Sequence, residues 1–192
     1  VIQVWRPREL NTHETEWGFS CMSYEISGAL GIKMANPDKE VISFVGDGSY
    51  LLNNTDIYSS VITNNKLIII VCDNGGFAVI NRLQLFKGGN EYNNLLKSSN
   101  TPGLVDVDFA KHAESMGAKS EHVNSISDLE EAFKRAKKSD VTYVISIKTH
   151  AYQWLEGSAF WDSPTLEIPT TSENKEALKL HKEGKSKQRQ GV

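Results

Sequence analysis

Two short turns hold the residue types best suited to chemistry in this chain: Gly46-Asp47-Gly48-Ser49 and Asp73-Asn74-Gly75-Gly76. In the first, the glycines permit a tight turn and let a ligand come close to the backbone. A helix expected directly after it presents unpaired N–H groups from about Gly48 to Leu51, and these favour an anion. The dipole of such a helix contributes only about 0.3–2 kcal/mol. A diphosphate therefore needs a cation as well. Asp47 can supply one oxygen ligand and Asn74 a second, and hard oxygen donors with few protein charges suit Mg²⁺ bridging phosphate oxygens better than an all-protein Ca²⁺ cage. Taken alone, Gly-Asp-Gly also reads as a plain strand-to-helix turn. A dinucleotide fingerprint is absent because Leu51 stands where its third glycine would be, and no Lys-Ser/Thr pair follows as in a P-loop.

The elements around these turns place them together. Val41 to Val45 is a near-continuous apolar run, as expected of a strand buried on both faces, and it leads straight into Gly46. A helix is predicted over about Leu51 to Thr63. Lys66 to Cys72 is the most hydrophobic stretch and a second strand, ending in the Asp73 turn. Upstream, Cys21 to Ala35 reads as a helix rich in small residues that stops before Asn36-Pro37-Asp38. Downstream, Asn81 to Asn100 is polar and Gly/Asn-rich and reads as a mobile loop. Asp108 to Met116 reads as a helix with Gly117 as its stop. Ser127-Asp128-Leu129-Glu130 has capping-box spacing ahead of an apolar stripe, and Val141 to Ile147 is a further buried strand. Strands alternating with helices, with apolar strand centres, predict an α/β fold with a parallel sheet covered on both faces. Such sheets bind ligands at the carboxyl ends of their strands, where both turns lie.

The bulk properties narrow the function classes. At 192 residues, 39% hydrophobic and 9% aromatic, the chain can bury a real core. A formal net charge of -3 argues against a nucleic-acid binder, which needs surplus Lys and Arg against phosphates. No apolar run approaches the roughly 20 residues of a membrane span. Cys21 and Cys72 fit no metal-ligand spacing, and free thiols in a cytoplasmic protein are the expectation. The chain begins at Val1 rather than Met, so a piece of something larger is also expected.

Twenty-four residues separate Gly48 from Asp73-Asn74, and this arrangement resembles the signature of thiamine diphosphate-dependent enzymes, Gly-Asp-Gly followed after a helix and a strand by Asn-Asn. Asp73 replaces the first Asn, while the metal-binding second is kept as Asn74. The resemblance implies thiamine diphosphate and Mg²⁺ as cofactors and a three-layer α/β/α pyrophosphate-binding domain over residues 1–150. Residues 151–192 would be a C-terminal extension, aromatic and then basic. Asp47 and Asn74 would be side-chain metal ligands and Gly76 would give its carbonyl. Gly46, Gly48, Ser49 and Phe77 would complete the cofactor contacts around the two turns. A second block, Ser20-Cys21-Met22-Ser23-Tyr24-Glu25-Ile26-Ser27-Gly28-Ala29-Leu30-Gly31, lies where many of these enzymes carry Gly-x-Met-Gly-x-x-Leu-Pro-Ala-Ala-x-Gly-Ala. By that match Met22 wedges the cofactor into a bent shape, the Ser20 carbonyl receives its aminopyrimidine, and Cys21 lies alongside.

The departures point to a subgroup. Ser20 and Ser23 replace glycines and Glu25-Ile26-Ser27 replaces the stretch ending in Leu-Pro. With Gly18-Phe19 in front, Tyr50-Leu51 after the first turn and Phe77-Ala78-Val79-Ile80-Asn81-Arg82 after the second, the pattern is most similar to enzymes that open trihydroxycyclohexane-1,2-dione in myo-inositol catabolism. The implied reaction is a retro-Claisen-like hydrolysis of a cyclic dione to 5-deoxyglucuronate. The weakest match is Asn81 to Pro102. No catalytic residue is assigned to this chain, because the family's activating Glu belongs to a separate pyrimidine-binding domain of the same or a neighbouring subunit. Glu14, Glu16 and Glu25 lie in no matching motif. A homo-oligomer, and an isolated chain that is silent on its own, are therefore expected. The competing functions are a 2-oxo acid decarboxylase or acetohydroxyacid synthase, and a non-catalytic cofactor-binding and docking module.

Other residues carry open alternatives. Tyr50 either lines the diphosphate pocket or packs. Cys72 reads as core. His150, at the ligand side of the sheet, either serves acid–base steps or is structural. Trp154, Phe160 and Trp161 either close over a substrate or pack on another domain, and Lys175 to Arg189 reads as a solvated helix or disorder.

Overall fold

The computed structural model describes residues 4–16, 18–100, 103, 105–155 and 165–188; Phe160, Trp161 and Arg189 lie outside them. The chain forms two compact units, Val1–Asn74 with Asp106–Thr149, and Gly75–Val105 with His150–Val192.

The first unit is built on four parallel strands, β1 (Ile42–Gly46), β2 (Ile68–Asp73), β3 (Lys119–Val123) and β4 (Tyr143–Lys148), in the order β1-β2-β4-β3. Its helices are α1 (Tyr24–Ala35), α2 (Asp47–Leu52), α3 (Thr55–Ile62), α5 (Phe109–Ser115) and α6 (Ile126–Lys138); α4 (Ala78–Phe86) belongs to the second unit. The period of two along a strand divides the core. Ile69 and Val71 of β2 pack with Ile26 and Leu30 of α1, Ile57 of α3 and Phe109 and Ala113 of α5. Ile68 and Ile70 turn to the other face and pack with Ala132 and Ala136 of α6. Both faces of β2 are therefore covered, which is why it reads as a continuous apolar run. Ile68 and Ile69 are 0% exposed, and each such side chain is worth about 1.5–3 kcal/mol of burial. The steps β1→β2 and β2→β3 run in one direction and place α3 and α5 on one face. The return β3→β4 puts α6 on the other, as right-handed crossovers require.

Several boundaries differ from the sequence expectation. The first helix begins at Tyr24, not Cys21, because Ser20 (φ 52) and Ser23 (φ 77) hold left-handed backbone. The helix expected over Leu51 to Thr63 is two helices, starting at Asp47 and broken at Asn53-Asn54. The cap of α6 is Ser125, whose side chain accepts the Asp128 N–H at 3.0 Å, and not Ser127. Asp108 caps α5 by accepting from Lys111 N–H at 3.0 Å, and Gly117 (φ 86) follows its end.

The second unit contains α4 (Ala78–Phe86), a 3₁₀ turn at Leu96–Ser98 and α7 (Ser172–Ser186). A loop was expected from Asn81 onward, but α4 runs through its first turn and a half. Gly88 has φ 80, and a Cβ there would meet the Glu173 carbonyl oxygen at 2.6 Å, so α7 starts against bare backbone. The Asn174 side chain seals that contact with a bond to the Gly88 carbonyl at 2.5 Å. Residues 172–186 are thus an anchored helix in which Asn174 and Ala177 are buried.

Candidate functional site

Strands β1 and β2 are hydrogen-bonded neighbours, with Gly46 in register with Cys72. Adjacent strands lie about 4.7–4.9 Å apart. Parallel pairing therefore brings their carboxyl ends, Asp47 and Asp73-Asn74, side by side. Asp47 is 4% exposed, and its Oδ1 accepts the Asn74 N–H at 3.4 Å. Gly46 has φ -76, a value any residue tolerates, so the turn does not need glycine for its angle. A Cβ on Gly46 would meet nothing within 4 Å. What the glycine preserves there is open space beside a buried carboxylate. Gly48 and Ser49 are buried in the first turn of α2.

Ser49 ties this turn to the Ser20–Gly31 block. Its Oγ accepts the Ser23 N–H at 3.1 Å and donates to Glu25 Oε1 at 3.1 Å. Ser43 Oγ in turn donates to the Glu25 carbonyl at 2.9 Å. The second Glu25 oxygen, Oε2, is buried without a hydrogen-bond partner. On the other side of the block, Glu16 accepts the Phe19 N–H through Oε1 and the Cys21 N–H through Oε2, each at 2.7 Å. Those backbone donors, Phe19 first and Cys21 second, hold the Glu16 carboxyl below the ordinary carboxylate range. Between these two carboxylates the Ser20–Ser23 turn leaves Cys21 exposed and Met22 40% exposed. Neither Glu16 nor Glu25 was singled out from the sequence as part of this support. The capping role of Glu16 spans irregular chain, and nothing in its spacing announces it.

At Asp73 the departure from Asn-Asn has a visible counterpart. Asp73 is 5% exposed, and Lys148 Nζ lies 2.6 Å from its Oδ2 and 2.6 Å from Asp106 Oδ1. Partial burial alone would lower the Lys148 ammonium; its hydrogen bonds to Asp106 and Asp73 outweigh that and raise it. Cys72, one residue earlier, faces the α6 side of the sheet, and burial pushes its thiol up, as suits a core residue.

Tyr50 does not face the diphosphate turn. It is 0% exposed, lies edge-on to Phe109 at 5.1 Å and shares a 2.9 Å hydrogen bond with His112 Nδ1, with burial pushing its phenol well up. It is a packing residue. Gly76 and Phe77 belong to the second unit. Gly76 has φ 137 and pairs with Leu95, and a Cβ there would meet the Asn94 carbonyl oxygen at 2.5 Å, so only glycine fits. Phe77 donates its N–H to Asn94 O at 2.7 Å and is 38% exposed. In the same unit His150 Nδ1 accepts the Tyr152 N–H at 3.1 Å, and the Tyr152 hydroxyl donates to Glu91 at 2.5 Å. Trp154 carries the Arg82 guanidinium over its ring at 4.3 Å.

The donor set fits a metal–diphosphate pair better than a bare metal. Among the described residues no cluster of three or more His, Cys, Asp or Glu could hold a metal ion, whereas the Asp47 carboxylate lies against the backbone of Asn74, beside open space at Gly46. Such a sparse oxygen set suits Mg²⁺, which commonly keeps waters and takes phosphate oxygens as further ligands.

Comparison with known proteins gives the family of the chain. Residues 1–147 match the family of thiamine pyrophosphate enzymes through its C-terminal TPP binding domain, and the chain belongs to that family. A 3D-(3,5/4)-trihydroxycyclohexane-1,2-dione hydrolase of Shouchella clausii is 37% identical over 177 residues, 91% of this chain and 28% of that protein. The Bacillus subtilis protein of the same name is 38% identical over 159 residues, 83% of this chain and 25% of that protein. The chain thus spans about a quarter of the length of these relatives. Among solved structures, a thiamine diphosphate-dependent 4-hydroxybenzoylformate decarboxylase of Rhodococcus jostii superposes with a TM-score of 0.56 at 27% identity, over 67% of this chain and 23% of that one. The α/β architecture with a parallel sheet is that of this family. Among the described residues no helix is long and apolar enough to cross a membrane.

Proposed function

We propose that this chain is the part of a thiamine diphosphate- and Mg²⁺-dependent enzyme that holds the cofactor's diphosphate, and that the whole protein hydrolyses a C–C bond of a trihydroxycyclohexane-1,2-dione to give 5-deoxyglucuronate. The observation that carries the first part is the juxtaposition of Asp47 and Asn74 at neighbouring strand ends, beside open space at Gly46. Asp47 and Asn74 would bind Mg²⁺ through side-chain oxygens. Gly48 and Ser49 would offer backbone N–H groups to the diphosphate, and Met22 would support the cofactor's bend between its two rings. Thiamine diphosphate, when bound, supplies the electron sink for breaking a bond next to a carbonyl. The protein's share is to orient that group, neutralise the diphosphate and keep the Met22 turn in place through Ser49, Glu25 and Glu16.

The choice of a cyclic dione rests on the relatives' names and on the Ser20–Gly31 block, which lacks the Leu-Pro-Ala-Ala run of many decarboxylases and carboligases. The similarity to a decarboxylase structure supports the alternative, a 2-oxo acid decarboxylase. Assaying both substrate classes with the full-length protein separates them: release of CO₂ from a 2-oxo acid, without ring opening, would replace the first reading with the second. The site itself is tested by calorimetric titration of the full-length protein with thiamine diphosphate, with and without Mg²⁺. Binding is expected to require Mg²⁺ and to weaken by at least tenfold in Asp47→Ala. Metal-independent binding, or a variant that binds as well as wild type, refutes the clamp.

A further inference from the structure

The first position of the Asn-Asn pair is an aspartate here, and a buried carboxylate next to a metal ligand changes the charge of the whole site. Asp73 precedes Asn74, is 5% exposed and ends the strand beside Asp47. Two negative charges at such a place would strengthen the hold on a cation. They would equally repel a diphosphate, so the same change cannot favour both ligands.

Strand β4 carries the answer. Asp73 and Lys148 are Cα partners in the β2–β4 register. The two side chains lie on the same face of the sheet, since register partners in adjacent strands point the same way. Lys148 Nζ meets Asp73 Oδ2 at 2.6 Å. It also meets Asp106 Oδ1 at 2.6 Å, on the segment leading into α5. Its own side chain is 53% exposed while that of Asp73 is 7% exposed. The lysine thus reaches in from solvent to a carboxylate that is not solvated. Asp106, 78% exposed, is largely screened by water. The pairing that matters for the site is therefore Lys148 with Asp73.

We propose that Lys148 is a positioning and charge-balancing residue of the cofactor clamp: it cancels the charge of Asp73, so that Asp73 adds no net charge where a Mg²⁺–diphosphate pair would meet Asp47. Asp73 with Lys148 would then be the electrostatic equivalent of the neutral Asn in the family signature, built from residues on two strands. This inference rests on the cofactor reading above.

A charge-balancing role has a signature that a purely structural role lacks, because a metal cation and a diphosphate anion respond to it with opposite sign. Two constants are measured by calorimetry on the full-length protein. One is the affinity for Mg²⁺ alone, and the other is the affinity for thiamine diphosphate at saturating Mg²⁺. Lys148→Met exposes the Asp73 charge, so Mg²⁺ should bind about threefold to tenfold tighter and thiamine diphosphate weaker by a similar factor, as for a unit charge acting at short range through a protein surface. Asp73→Asn leaves the lysine's charge in excess, so both changes should reverse. The double variant should return both constants to within about twofold of wild type. Should Lys148→Met fail to fold, Asp73→Asn alone decides, since weaker Mg²⁺ together with tighter cofactor is the expected pair of shifts. Weakening of both ligands in either variant, or no change in either, overturns the charge-balancing role while leaving the clamp intact. A wild type that binds thiamine diphosphate without Mg²⁺ overturns the clamp, and this inference with it.

Discussion

Ser20 and Ser23 hold backbone that glycine would hold at less cost, at φ 52 and 77. A side chain in the left-handed region costs roughly 1–2 kcal/mol, part of which glycine returns through its larger loss of freedom on folding. The family motif has glycine at both places, and the same conformation persists here with serine. The turn must therefore be imposed by its surroundings, and the bonds are visible: Glu16 to Phe19 and Cys21 N–H on one side, Ser49 to Ser23 N–H on the other. Replacing either serine with glycine, Ser20→Gly or Ser23→Gly, should raise stability by about 0.5–1 kcal/mol each, read as an increase in the urea midpoint at unchanged slope. A loss of stability in both variants would show that the serine side chains contribute more than the strain they impose. The two turns that carry Asp47 and Asn74, proposed above as metal ligands, were legible from the sequence because each follows an apolar strand with Gly, Asp or Asn. The carboxylates that support the Met22 turn were not, since Glu16 acts on backbone groups across irregular chain and leaves no periodic trace.

At the scale of elements, legibility followed burial. β2 was plain because both its faces are covered, so all of Ile68 to Val71 is apolar and buried. β3 escaped notice because, unlike β1 at the other edge of the sheet, it is polar: its residues are Lys119, Ser120, Glu121, His122 and Val123, and only Val123 is buried. Polar contacts to β4 and α6 line it instead. Arg135 and Tyr143 both bond Glu121, at 2.6 Å and 2.5 Å, and Ser146 bonds His122 at 3.0 Å. The start of α6 shows a different limit. Ser125 and Ser127 both stand ahead of the apolar stripe, and capping-box spacing favours Ser127, yet only Ser125 has the extended backbone of a cap, at φ -142 and ψ 164. Ser125→Ala should therefore cost about 1 kcal/mol in equilibrium unfolding, as a lost N-cap does, whereas Ser127→Ala should stay within about 0.5 kcal/mol of wild type. The reverse order would move the cap back to Ser127.

Over the whole molecule, the question is what this length of chain can do unaided. It spans 28% of its Shouchella clausii relative, and the two carboxylates that flank its Met22 turn are already engaged. Glu16 holds two backbone N–H groups, and Glu25 takes the Ser49 hydroxyl from within the block it supports. Glu16 could act elsewhere only by releasing the turn, and Glu25 has only its buried Oε2 unpartnered. The activating carboxylate is therefore proposed to come from outside residues 1–192, on a pyrimidine-binding domain of the same or a neighbouring subunit. Residues 1–192 produced alone should then open no trihydroxycyclohexane-1,2-dione at saturating thiamine diphosphate and Mg²⁺, while the full-length protein does, with ring opening followed by the appearance of carboxylate product. Mixing the isolated chain with a separately produced remainder of the protein should restore turnover if the carboxylate is all that is lacking. Turnover by residues 1–192 alone, abolished by Glu25→Gln, would instead place the activating group inside the Ser20–Gly31 block. Ser49 would then link the diphosphate turn to a catalytic carboxylate rather than to a structural one.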